Sequence, residues 1–106
     1  MSEHFAVMGA GEVGFHLARQ LSQAGHSLVV IELDPEKRER VEESLDAAVV
    51  LGNGAHAPVL EAAKIDRCDL FMAVSSSDEA NLAAAVLAEF GIEKFPRREE
   101  TVDSKQ

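Results

Sequence analysis

"GAGEVG" occupies residues 9–14, directly behind the apolar run "FAVM" (5–8) and directly before "FHLARQLSQAG" (15–25). In a G-x-G-x-x-G hexad each glycine has its own steric task. The first, Gly9, permits a tight turn out of a strand; the second, Gly11, lets a pyrophosphate approach the backbone; the third, Gly14, lets helix and strand pack closely. Ala10, Glu12 and Val13 fill the remaining positions. Free N–H groups at the mouth of the following helix then meet the phosphate, a gain of about 0.3–1 kcal/mol.

The flanks decide whether the hexad has that context. Four short apolar runs, "FAVM", "LVVI" (28–31), "AAVVL" (47–51) and "LFMAV" (70–74), are too short for helices and too continuous for a half-wet sheet. They read as parallel strands buried on both faces. Segments of helical spacing lie between them. Val13, Leu17, Leu21 and Ala24 form one stripe closed by Gly25 at C′. Asp34 caps a second helix with Pro35 at its first position, and only Val41 and Leu45 reach the core. "HAPVLEAAKI" turns Val59, Leu60 and Ala63 inward; the fourth helix opens with Ser76 and Glu79 at capping-box spacing, runs through Leu82, Val86 and Phe90, and ends at Gly91.

Strand and helix therefore alternate, and right-handed crossovers give an α/β fold: a Rossmann-like doubly wound parallel sheet, ordered 3-2-1-4, in three layers with an incomplete second half. Residues 1–92 are expected to form this domain, and 93–106, with Pro96 and a charged run, a loose tail.

An acidic residue ends the second strand: Glu32, 23 positions after Gly9. Its carboxylate can accept both ribose hydroxyls of an adenosine and would repel a 2′-phosphate, favouring NAD(H) over NADP(H). Asp34 either shares this work or only caps its helix. At the same edge, Gly52, Asn53 and Gly54 follow the third strand, where Asn53 addresses adenine or simply makes a turn; Ser75, Ser76 and Ser77 follow the fourth, as ligand contacts or as a plain cap cluster.

Composition narrows the field. A net charge of −9, with 19 acids against 10 scattered bases, speaks against nucleic acid and anionic membrane partners. One cysteine, Cys68, fits a reducing, cytoplasmic setting, and no apolar run suggests a leader or a membrane span. His4, His16, His26 and His56 lack metal-ligand spacing, "SSSDE" lacks the glycines of a nucleophile elbow, and 106 residues leave no room for a substrate domain, so catalysis is not expected.

The stretches "VMGAGEVGFHLARQLSQAGHSLVVIELDPEKRERV" and "VVLGNGAHAPVLEAAKIDRCDLFMAVSSSDEANLAAAVLAEFGI" resemble the nucleotide-binding N-terminal (TrkA-N, or RCK-type) regulatory domain of Trk and Ktr potassium transport systems. The resemblance implies a cytoplasmic sensor, peripheral to the membrane through its partner, that binds NAD(H) or an adenine nucleotide (ATP, ADP, AMP) and controls a potassium transporter or channel subunit, itself pairing as a homo-oligomer. It implies Gly9, Gly11, Glu12 and Gly14 at the phosphates, Glu32 at the ribose, Asn53 at the adenine, and Ser75, Ser77, Glu79 and Asn81 along the phosphate-side edge. One departure from the family is Asn53, where aspartate is usual; Glu12 stands where some ATP-preferring relatives have arginine, which inclines the reading to NAD(H). The second departure is that the family continues past Gly91 with a strand and helix used for dimer contact, whereas this sequence turns there to charged residues, so a homo-oligomer is expected if the dimer surface survives. The other readings of the residues are a small NAD-dependent oxidoreductase cofactor domain and a ligand-free interaction module.

Overall fold

A computed structural model describes residues 3–90. Four strands, β1 (His4–Met8), β2 (Ser27–Glu32), β3 (Ala48–Leu51) and β4 (Leu70–Ala73), alternate with α1 (Glu12–Gln23), α2 (Pro35–Ser44), α3 (Ala57–Ala62) and α4 (Asp78–Phe90); a 3-10 turn, Ile65–Arg67, precedes β4. The strands form one parallel sheet ordered β3-β2-β1-β4, as the alternation predicts. Each crossover carries a helix, because neighbouring parallel strands cannot be joined by a hairpin.

The helices cover both faces. On one face Phe15 and Ala18 of α1 and Val41 of α2 pack on Val7, Leu28 and Val30; on the other Leu60, Ala63, Ile65 and Ala84 pack on Ala6, Met8 and Ile31. Alternation along β1 and β2 sends successive side chains to opposite cores, so the central stretches 5–8 and 28–31 are apolar on both faces. The two outer strands depart from that expectation. β3 and β4 are only half-buried, and Leu51 and Leu70 are exposed, because each strand has one sheet neighbour among the described residues.

Two helices are turned relative to their expected stripes. In α1 the buried face is Gly14, Phe15 and Ala18, whereas Val13 is 63% exposed and Ala24 is also exposed. In α4 Ala80, Ala84, Leu87 and Ala88 meet the sheet, and Leu82 stands 68% exposed with Val86 beside it in solvent. The cause is the same in both: counting large apolar residues overlooks the glycine and alanines that let a helix axis come close to a sheet.

The helix ends follow local chemistry. Gly25, at φ +88°, ends α1, with its N–H on the Ser22 carbonyl and that of His26 on Leu21, a Schellman pair. Asp34 caps α2 through the Glu36 amide at 3.0 Å. Ser77, not Ser76, caps α4, its Oγ accepting the Ala80 amide at 3.1 Å; the residue three on is then alanine, and the expected capping box does not form. The end of α4 at Gly91, the Phe90 side chain, and the expected domain limit and tail at 93–106 lie outside the described residues.

Candidate functional site

Because all strands run the same way, their carboxyl ends share one edge, and the four turns that leave it enclose a cavity of about 740 Å³. That is ample for a cofactor-sized ligand. The turns after β1, β2, β3 and β4 contribute Gly9, Ala10, Gly11, Glu12 and Val13; Glu32 and Asp34; Gly52, Asn53 and Gly54; and Ser75, Ser76 and Ser77. Gly14, Glu79 and Asn81 do not line it.

The three glycines of the hexad do three different things. Gly9 adopts φ +103°, and a Cβ there would stand 2.6 Å from the Ser75 Cα. A Cβ on Gly14 would collide with the Gly9 carbonyl, so this glycine seats α1 against the end of β1. Gly11 has an ordinary φ of −72°, and a Cβ there would meet nothing within 4 Å. Its missing side chain serves the space in front of it.

Gly11 is also the N-cap of α1 and offers no side-chain acceptor, which leaves the first-turn N–H groups open towards the cavity. The other helix starts that line it differ: α2 is closed by Asp34 and α4 by Ser77. Of the three helix starts that line the cavity among the described residues, that of α1 alone has no side-chain cap.

Glu32 is buried, 7% exposed, and already engaged on both oxygens: Oε1 accepts the Ala10 amide at 2.6 Å and Oε2 the Asp34 amide at 2.8 Å. It thus braces the glycine turn from the end of β2. Each oxygen retains a further lone pair, so ribose hydroxyls remain compatible with it.

Asn53 is similarly committed, its Oδ1 accepting the Ala55 amide at 2.8 Å in an Asx turn, so its free group towards a base is the NH₂ donor. Ser75 and Asn81 hold one another: Asn81 Oδ1 accepts the Ser75 amide at 3.0 Å and its hydroxyl at 2.6 Å, and Asn81 Nδ2 donates to the Ser75 carbonyl at 3.0 Å. Asn81 therefore fixes the turn after β4 from behind the cavity.

Sequence reasoning missed Lys37, which joins the lining from the first turn of α2. The signal was present: it lies three residues past Asp34, one helical turn in, on the side facing the sheet edge. Against Glu12, Glu32 and Asp34 it is the sole cation lining the cavity among the described residues. Met8, Ile31, Leu33, Val74 and Ala80 add apolar walls. No cluster of three metal-ligating side chains exists among the described residues, and no helix there is long and apolar enough to cross a membrane.

Comparison with known proteins matches residues 5–97 to the TrkA-N domain. The chain belongs to the TrkA-N domain family. A relative from Archaeoglobus fulgidus, named Trk system potassium uptake protein TrkA homolog, is 44% identical over 82 residues, 77% of this chain and 18% of the relative. The chain spans less than half the length of the first curated relatives it matches. This TrkA-N domain also shares its fold with two solved structures. One is the Kef CTD of Shewanella denitrificans in its AMP-bound form, at TM-score 0.70 and 22% identity, covering 86% of this chain and 54% of that one. The other is the NAD(P)-binding domain of an exopolyphosphatase-related protein from Archaeoglobus fulgidus, at TM-score 0.71 and 21% identity, covering 82% and 65%.

Proposed function

We propose that this chain is a nucleotide-binding regulatory domain of a potassium transport system, that its ligand is NAD(H), and that it acts by binding rather than by catalysis. The observation that carries the reading is the opening at Gly11: a backbone with no side chain in front of it, at a helix mouth whose amides have no cap. A pyrophosphate laid there would take the first-turn N–H groups of Glu12, Val13 and Gly14. The ribose hydroxyls would go to Glu32, already fixed at the edge, with Asp34 beside it. The adenine would lie over Gly52, Asn53 and Gly54, with the Asn53 NH₂ addressing a ring nitrogen. Ser75, Ser76 and Ser77 would bound the far side.

Electrostatics favours the dinucleotide over a triphosphate. Among the described residues, three carboxylates against one lysine in the lining penalise each added phosphate charge, and Glu12 stands at the very helix mouth that a phosphate must approach. The names of the relatives support the potassium transport context, and the fold neighbours with AMP or described as NAD(P)-binding agree with an adenine ligand. On this reading the domain works in the cytoplasm, in a homo-oligomer bound to a membrane transporter or channel subunit. Regulation further requires that the ligand favour one conformation, each tenfold preference supplying about 1.4 kcal/mol.

Calorimetric titration of the full chain with NADH, NAD, ATP, ADP and AMP tests this reading. Saturable binding tightest for NADH, lost in Gly11→Asp, is the expected result. Silence from every nucleotide, or turnover of the dinucleotide with a small alcohol, overturns it.

A further inference from the structure

A second cavity, of about 450 Å³, lies at the opposite end of the sheet, where the amino ends of β1, β2 and β3 run beneath the close of α3 and the 3-10 turn. It arises because α3 is only six residues long and leaves the starts of β2 and β3 without a helix over them. Its floor is apolar, with Val29, Val50 and Ala63, and its rim carries Lys64, Arg67 and His4. No carboxylate among the described residues lines it, in a chain with 19 acids and 10 bases. The cavity at the carboxyl edge has the reverse balance.

Neither Lys64 nor Arg67 has an ion-pair partner among the described residues. Asp66 and Asp69 stand nearby but outside the lining, and Asp69 Oδ2 is taken by the His4 amide at 2.8 Å. Lys64 is moreover the one non-glycine residue with positive φ among those described, at φ +57°. It follows the end of α3, at a position where glycine would sit without strain. The Cys68 thiol completes the wall; burial, with Asp69 and Asp66 adding to it, pushes it above its usual value, so it stays neutral.

We infer that this amino-edge cleft binds a small amphipathic carboxylate, its anionic head held between Lys64 and Arg67 and its hydrocarbon portion laid on Val29, Val50 and Ala63. Charge and surface agree on that class. A bare inorganic anion would leave the apolar floor wet, and a neutral hydrocarbon would leave two unpaired cations at the rim unused.

Octanoate is the probe, titrated into the ¹⁵N-labelled full chain with amide shifts as the readout. The expected result is saturable shifts at Val50, Ala63, Lys64 and Arg67, with 1-octanol binding at least tenfold more weakly. The Lys64→Gly/Arg67→Gln double variant lowers octanoate affinity at least tenfold. It folds, since the glycine relieves strain and Arg67 is exposed; Arg67→Gln alone gives an intermediate loss. No saturable shift, equal binding of the alcohol, shifts confined to the Gly11 cavity, or wild-type affinity in the double variant overturns the inference. Because the cleft is remote from the glycine turn, NADH titration of the same double variant is unchanged whichever result is obtained.

Discussion

The Glu32 carboxylate and the Ala10 amide meet at 2.6 Å, joining the end of β2 to the glycine turn that leaves β1. The acid is therefore structural before any ligand arrives. Replacing it by glutamine keeps the shape but points an NH₂ at one of two backbone donors, leaving that donor buried and unpaired. Glu32→Gln should lower the urea-unfolding free energy by about 1–3 kcal/mol and weaken NADH binding as well.

The second and third glycines of the hexad should separate stability from binding. Gly11→Ala meets open space and should leave the unfolding free energy within about 0.5 kcal/mol of wild type, yet reduce NADH affinity at least tenfold by occupying the phosphate's approach. Gly14→Ala drives a methyl into the Gly9 carbonyl and should cost about 3 kcal/mol or more, seen as a lowered Tm.

Lys64→Gly should be stabilising. Relief of the left-handed conformation is worth about 1–2 kcal/mol, against about 0.5–1 kcal/mol of added chain entropy in the unfolded state. A net rise of about 0.5 kcal/mol in chemical denaturation is the expected outcome.

Cys68 should react slowly. Its folded pKa is raised, first by burial and then by Asp69 and Asp66, so the native state holds the thiol proton more tightly than the unfolded chain does. Its contribution to stability is complete below the unfolded thiol's pKa and is lost as pH climbs through the raised folded value. Iodoacetamide should modify it several-fold more slowly than an unstructured cysteine peptide at pH 8, and urea should remove the difference.

Much of the architecture was legible because parallel sheets write themselves plainly: central strands that face two cores, as Val7 and Val30 do, have no room for polar alternation. The turns carrying the candidate site were legible too, since glycine, asparagine and serine cluster where backbone must bend. Helix rotation was not, because Gly14, Ala18 and Ala84 earn their buried places by being small, and hydrophobic spacing gives small residues little weight. Nor was the commitment of Glu32, Asn53 and Asn81 to backbone partners: their side chains suit ligands and turns equally, and only three-dimensional distance separates the two roles. Lys37 escaped notice because an exposed, strongly charged helix hides one inward-leaning cation among many.

With no side chain on Gly9 to separate it from the Ser75 backbone, the turn after β1 and the turn after β4 touch without slack. Neither can shift by a fraction of an ångström unless the other gives way, and Ser75 is in turn bolted to the first coil of α4 through Asn81. The glycine turn, the turn after β4 and the start of α4 are thus joined by one unbroken run of close contacts along the sheet's upper rim.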